Sequence, residues 1–299
     1  MLAEIGVARR PTSLARANNG NLWVVGNADA TVSIIHPTTH ALLGSVTLPA
    51  NSRPYGIVMN PATQTAYVSL EALGQIVSID TQLQQIISEP IEVPPNPRGM
   101  AISADGTSLY VTRFISDAVA GEVTQIDVAT GEATAIDLAI DTTADSDSGG
   151  RGLPNYLSSV TISPDGAQAV VTAKKDNIGR GAFRDGNSLD HDNSVRAIVT
   201  TINTITGQEV AALRHDFDNN ALPVAAEFTS FGNLVFVALQ ASNKVKLLDA
   251  YNSFEIEVLS TGLSPDGLVL DDITGTLYVH NFMSPVSYTH LTLPTIYSV

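Results

Sequence analysis

The sequence predicts an all-β fold, a β-propeller of four-stranded antiparallel blades, and three observations predict it. Prolines recur at Pro11, Pro54, Pro97, Pro154, Pro223 and Pro265, with successive spacings of 43, 43, 57, 69 and 42 residues. Each is followed by an apolar strand, a turn, and a second strand of Tyr-Val type such as Leu109-Tyr110-Val111-Thr112. A third strand of Val-x-x-Ile-Asp type then follows, as in Ile76-Val77-Ser78-Ile79-Asp80. A period in the forties with several strands per unit is the signature of propeller blades.

The blades follow in order as residues 11–53, 54–96, 97–153, 154–222 and 223–264, with a partial blade at 265–284. Their second strands are Leu22-Trp23-Val24-Val25, Ala66-Tyr67-Val68, Leu109 to Thr112, Ala169 to Thr172, Val235-Phe236-Val237 and Leu277-Tyr278-Val279. The turns before them are Asn19-Gly20, Thr63-Gln64, Asp105-Gly106, Asp165-Gly166, Phe231-Gly232 and Thr274-Gly275. Five of the six place glycine where a tight hairpin needs positive φ. Third strands begin at Thr31, Ile76, Val123, Val195 and Val245, and Thr130-Gly131 and Thr206-Gly207 turn the chain into outer fourth strands. Period-2 alternation and β-branched residues dominate, and no stretch has helical periodicity.

Composition narrows function. Fifteen Lys and Arg against thirty Asp and Glu give a net charge of −15. That surface repels nucleic acid and anionic membranes, and no apolar run approaches transmembrane length. Cysteine is absent, which removes disulfides, thiolate metal sites and haem attachment within this chain. There is no Gly-x-Ser-x-Gly elbow and no His-Glu-x-x-His pair. Met1 to Ile5 has no signal-peptide apolar core.

The residues Leu109-Tyr110-Val111-Thr112, Ser163-Pro164-Asp165-Gly166 and Leu277-Tyr278-Val279-His280-Asn281 resemble the YVTN family of bacterial β-propeller repeats. That family is related to lactonase-like and cytochrome-d1-like propellers, and the resemblance covers roughly residues 3–284. It implies a periplasmic or cell-surface location. Lys174-Lys175-Asp176-Asn177 and Val195-Arg196-Ala197-Ile198-Val199 further resemble propellers that precede a c-type, di-haem-peroxidase-like cytochrome domain. Any haem would then belong to a downstream domain of a longer parent.

Glu4 to Val7 looks like the outer strand of a preceding blade, and residues 285–299 resemble the translated adaptor ends found on assembled metagenomic fragments. Residues 1–284 therefore read as one propeller domain cut from a parent of seven or more blades, and 285–299 as a non-native tail. A closed six-bladed ring is the alternative, with Val286-Ser287-Tyr288 as a third strand and Glu4 to Val7 closing the blade; closure removes exposed edges.

Chemistry is expected where the repeat is broken, because the repeated residues are turns and core. Two insertions fall on the same face of the blades: Asp137 to Gly152 before blade four, and Ala173 to Ser194 inside it. In the first, Asp141, Asp145 and Asp147 with neighbouring hydroxyls could hold Ca²⁺, although the spacing is not that of an EF-hand; the alternative is a solvated acidic loop. The second holds Lys174, Lys175, Asp176, Asn177, Arg180, Arg184 and His191, with two of the chain's four lysines. These could clamp a carboxylate or phosphate, or pair with the acidic insertion and pin two loops together.

Arg10, Arg53 and Arg98 sit beside blade-entry prolines, and Arg151 lies three residues before Pro154. Their guanidinium groups could line one channel mouth and attract an anion, or anchor carboxylates between blades. His36, His40 and the Arg214-His215-Asp216 stretch are expected to face solvent. The function expected is a non-catalytic scaffold that binds a protein or a small anionic ligand on the loop-bearing face. The alternatives are a lactonase-like hydrolase and a Ca²⁺-stabilised adhesive propeller.

Overall fold

The computed structural model describes residues 4–284 and 288–292. These form six antiparallel sheets of the up-and-down kind. The first holds β1 (Pro11–Arg16), β2 (Leu22–Gly26), β3 (Thr31–Ile35) and β4 (Leu42–Thr47). The second holds β5 (Pro54–Met59), β6 (Thr65–Leu70) and β7 (Gln75–Asp80), with an outer strand split into β8 (Gln85–Ile86) and β9 (Ile91–Glu92). Pro90 lies in the split; it has no N–H to give to a ladder. The third holds β10 (Pro97–Ile102), β11 (Ser108–Arg113), β12 (Gly121–Asp127) and β13 (Ala133–Leu138).

The fourth sheet is the largest. It holds β14 (Leu153–Ile162), β15 (Gln168–Asp176), β16 (Val195–Asn203) and two outer pieces, β17 (Gln208–Glu209) and β18 (His215–Phe217). The fifth is β19 (Pro223–Phe228), β20 (Leu234–Leu239), β21 (Lys244–Asp249) and β22 (Glu255–Ser260). The sixth is β23 (Pro265–Asp271), β24 (Thr276–Asn281) and β25 (Tyr288–Thr292). Thus part of the segment expected to be a tail pairs with β24; the rest of 285–299 lies outside the described residues. Helix is confined to single turns, such as α1 (His191–Ser194), and no helix among the described residues is long and apolar enough to cross a membrane.

The chain divides into two compact units, Met1–Ile115 with Val123–Ala135, and Ser116–Glu122 with Ile136–Val299. In the first, one core joins Trp23, Val25 and Ile34 of the first sheet to Val68, Val77 and Ile79 of the second. Another joins Tyr67 and Ile76 to Leu109, Val111 and Ile126. In the second unit, Val170 and Val199 pack with Val235 and Val237, while Phe236 and Leu247 pack with Leu277 and Val279. One side chain of the second strand thus recurs as a plug in five of the six sheets: Trp23, Tyr67, Tyr110, Val170 and Phe236 are all buried. Burying each contributes about 1.5–3 kcal/mol. Tyr278, at the same place in the sixth sheet, is 39% exposed.

All six first strands break register just after entry, for example between Pro54 and Ile57 and between Pro97 and Met100. Such a bulge frees a backbone N–H, and a second-strand hydroxyl takes it up in three sheets. Ser69 Oγ accepts from Gly56 N at 2.8 Å, Thr112 Oγ1 from Gly99 N at 2.9 Å, and Thr172 Oγ1 from Ser159 N at 3.1 Å.

Residues 4–7, expected as an outer strand, carry no strand. Instead Ala8 seats on the first sheet, donating its N–H to Ser33 Oγ at 3.1 Å. Only glycine fits beneath it, since a Cβ on Gly26 would stand 2.2 Å from the Ala8 Cβ.

Candidate functional site

Both insertions belong to the second unit, and the residues they contribute do meet. The ladder of the fourth sheet runs on to Leu153↔Asp176 and Asp176↔Val195, so Lys174, Lys175 and Asp176 lie on β15 rather than in a loop. The pleat sends Lys174 and Asp176 to one face and Lys175 to the other. Lys174 Nζ lies 3.9 Å from the centre of the Tyr156 ring and 3.0 Å from Asp176. Lys175 is fully buried, with its ammonium 2.7 Å from Asp141 Oδ2 and 2.8 Å from Asp216 Oδ1.

A second cation closes this knot. Arg214 pairs with the buried Glu209, donates to the Ala139 carbonyl at 2.7 Å, and lies 3.9 Å from Asp141. Burial opposes ionisation of Asp141, but hydrogen bonds from Lys175 and Thr143 prevail and hold its carboxyl at about 2. Beside the knot opens a cleft of about 400 Å³, lined by Ile140, Asp141, Thr142, Thr143, Arg214 and Asp216 among others.

The rest of the acidic insertion is fastened separately. Asp145 takes the Arg151 guanidinium at 3.2 Å, its backbone N–H at 3.1 Å, and the Asn177 amide at 3.4 Å. Arg196 donates to the carbonyls of Ser146 and Asp147. The three aspartates considered for Ca²⁺ are therefore spread along the loop. Asp141 and Asp145 take ammonium, guanidinium and amide partners, and Asp147 contributes its main-chain carbonyl. Among the described residues, no group of three carboxylates or imidazoles is placed to hold a metal ion.

Beyond Asn177 the second insertion stands out from the sheet on a defined base. Asn177 is buried and donates to the Asn193 carbonyl at 2.9 Å. Asp190 caps α1, accepting from Asn193 N, while the Asn193 side chain accepts from Asp190 N. Arg180 lies 3.7 Å from Asp185, which also accepts from Gly181 N and Asn187 N. At the tip Phe183 is fully exposed and Arg184 is exposed, its side chain without an ion pair or hydrogen bond among the described residues. His191 opens α1, and its side chain lies outside the described residues.

The entry arginines take different roles. In the first unit, Arg98 donates twice to Glu71 Oε1, at 2.7 and 2.9 Å, and its guanidinium lies 3.4 Å from the centre of the Phe114 ring. Glu71 is buried, and Arg53 reaches it only at 3.7 Å while staying 52% exposed. Arg10 and Arg53 line one open cleft of about 470 Å³ with Asn27, Asp29 and Asn51. Arg151 belongs to the second unit, on Asp145.

Sequence reasoning missed Asp216, Arg214, Arg196, Glu209 and Phe183. The Arg214-His215-Asp216 stretch was expected to face solvent, yet Arg214 is almost buried and Asp216 meets Lys175. His215 is partly buried edge-on to Phe217, ring centres 4.8 Å apart; burial, then the Lys246 charge, lowers its pKa. A period-2 reading of β18 would have found the inward Phe217, which sits opposite Ala197. Glu227 on β19 also went unremarked. Burial, then the nearby Asp272, pushes its carboxyl up to about 7.

The meander sheets and their interlocking cores define a β-propeller. The chain is similar to a chain of hydrazine synthase from Kuenenia stuttgartiensis, with a TM-score of 0.59, 17% identity, and 97% of each chain covered. At that identity the likeness shows the fold alone. In sequence it is 28% identical over 94 residues to uncharacterized protein YncE of Salmonella typhimurium and of Salmonella typhi. Those 94 residues are 31% of this chain and only 26% of the length of these curated relatives. No protein-family model matches the chain.

Proposed function

We propose that this chain is a non-catalytic binding propeller whose partner is a protein that docks on the blade-four insertions, outside the cytoplasm. One observation carries the reading. The second insertion is fixed at its base by buried Asn177 and the Asp190–Asn193 cap, yet presents a fully exposed Phe183 beside an exposed Arg184. Aromatic and arginine side chains on a pre-ordered support are what interface hot spots are made of. A propeller sheet supplies the rigid base, the buried Lys175 knot ties the acidic insertion to it, and Asn177 joins the second insertion to Asp145. The resemblance to propellers that precede c-type cytochrome domains supports a redox protein as the partner.

The test is titration of the purified chain with a di-haem c-type cytochrome, followed by calorimetry. Phe183→Ala with Arg184→Ala should weaken binding by roughly 30-fold or more with no change in melting. Equal affinity of variant and parent would refute docking at this loop.

A further inference from the structure

We propose that the cleft of the first unit lined by Arg10 and Arg53 is a binding site for a small oxyanion, a ligand bearing carboxylate or phosphate groups. It goes beyond the docking loop, since it lies in the other unit and takes a different ligand.

Charge is the first argument. The carboxylates near the cleft are already taken. Asp29 accepts from Arg9 N and Nε, both at 2.7 Å, and Glu71 is held by both donors of Arg98. Four arginines (Arg9, Arg10, Arg53, Arg98) stand against two carboxylates, a local excess of +2 in a chain of net charge −15. Arg10 has no side-chain ion pair or hydrogen bond among the described residues, and Arg53, which reaches Glu71 Oε2 only at 3.7 Å, keeps its guanidinium half-exposed. Two guanidinium forks on one concavity suit an anion with several acceptor oxygens.

Backbone is the second. Arg10 and Arg53 each precede a blade-entry proline in the left-handed region, at φ 56 and 48. Asn96, Leu222 and Ser264 take the same backbone at the same place, at φ 63, 55 and 62. The turn therefore does not select arginine, and a left-handed conformation favours glycine or asparagine instead. Keeping arginine at two consecutive blade entries aims two donors at one cleft. Its volume of about 470 Å³ lies inside the range of about 300–1,000 Å³ usual for small-molecule sites.

The experiment is calorimetric titration of the full chain at low ionic strength, with citrate and inorganic phosphate as probes. One anion should bind per chain. Arg53→Gln should weaken it roughly 10- to 100-fold, as loss of charge-assisted hydrogen bonds does. Arg10→Gly should weaken it equally while leaving the melting temperature unchanged or higher, because glycine relaxes the left-handed backbone. Arg16→Gln, outside the cleft, should bind as the parent does. Citrate binding alone marks a carboxylate ligand, phosphate binding alone a phosphate ligand, and binding of both a site that reads charge. Failure of both probes, or affinity unchanged in Arg10→Gly and Arg53→Gln, overturns the proposal.

Discussion

Lys175→Met tests the knot that ties the acidic insertion to the fourth sheet. The side chain of Lys175 is fully buried, and its ammonium is the shared partner of Asp141 and Asp216. Methionine fills a similar volume but leaves two carboxylates facing each other, with Arg214 3.9 Å from Asp141 as the nearest remaining cation. Breaking a buried pair this way costs about 3–5 kcal/mol. The loss should also depend on pH. Asp141 is held at about 2 against an ordinary 3.8, so its contribution is fully present above 3.8 and is lost as pH falls through 2. That depression is equivalent to at most about 2 kcal/mol, less after solvent screening of the partly exposed carboxylate. Without Lys175, only the Thr143 hydrogen bonds and the more distant Arg214 oppose burial, so the pKa of Asp141 rises and acid relieves the variant. Urea unfolding at pH 7, 5 and 3.5 should show a deficit of several kcal/mol at pH 7 that narrows toward pH 3.5. Adding Asp141→Asn and Asp216→Asn should recover most of it at pH 7. A loss under about 1 kcal/mol, or one that ignores pH, would show that the knot is not what holds the acidic insertion.

Glu227→Gln should stabilise the chain by up to about 3 kcal/mol at pH 8 and leave it unchanged below pH 4.5. The raised carboxyl, moved from 4.5 to about 7, costs nothing while protonated in both states and most once ionised above 7; thermal melts across that range check it. Glu71→Gln should cost about 2–4 kcal/mol in urea unfolding, because Arg98 would keep its ring contacts but lose the buried carboxylate it is paired with. Gly152→Ala should cost about 1–3 kcal/mol. Its φ is 155, and a Cβ there would stand 2.6 Å from Lys175 Cγ and 2.9 Å from the Asp176 carbonyl oxygen; a lowered melting temperature is the readout.

What the sequence made legible follows from what repeats. Proline entries and alternating strands recur in six blades and glycine turns in five of them, so each reinforces the reading of the others. Trp23, Tyr67 and Tyr110 can be recognised as equivalent plugs before any coordinates are seen. The insertions occur once and have no such support. Lys174 to Asp176 look like loop residues in the linear sequence because a conventional second strand ends at Thr172, yet Arg196 and Val195 extend the ladder beside them. Which cation meets which carboxylate was equally hidden. Arg180 and Arg184 are nearest the acidic insertion in character, but Lys175, Arg196 and Arg151 reach it, since the pleat and not the spacing decides which side chain turns inward. The four entry arginines look alike in sequence. A single buried glutamate, Glu71, separates Arg98 from the exposed Arg10 and Arg53.

The division of cations between inner and outer positions has a consequence for salt. Lys175, Arg98, Arg196 and Arg214 are spent on internal carboxylates and carbonyls, and the carboxylates they meet (Asp141, Asp216, Glu71 and Glu209) match them in number, so the outer surface still carries the chain's net charge of −15. Self-repulsion of that surface opposes folding and is screened within a Debye length of about 8 Å at physiological ionic strength. Raising sodium chloride from 20 to 300 mM (roughly a fourfold shorter screening length) should therefore raise the melting temperature. The buried pairs are shielded from the same ions and should not offset the gain. At Arg10 and Arg53 the sign reverses, because screening and chloride competition both weaken attraction for an added oxyanion. One salt series should thus move stability up and citrate or phosphate affinity down. If both fell together, the buried pairs would have to be solvent-accessible, and the separation of structural from ligand-directed cations would fail.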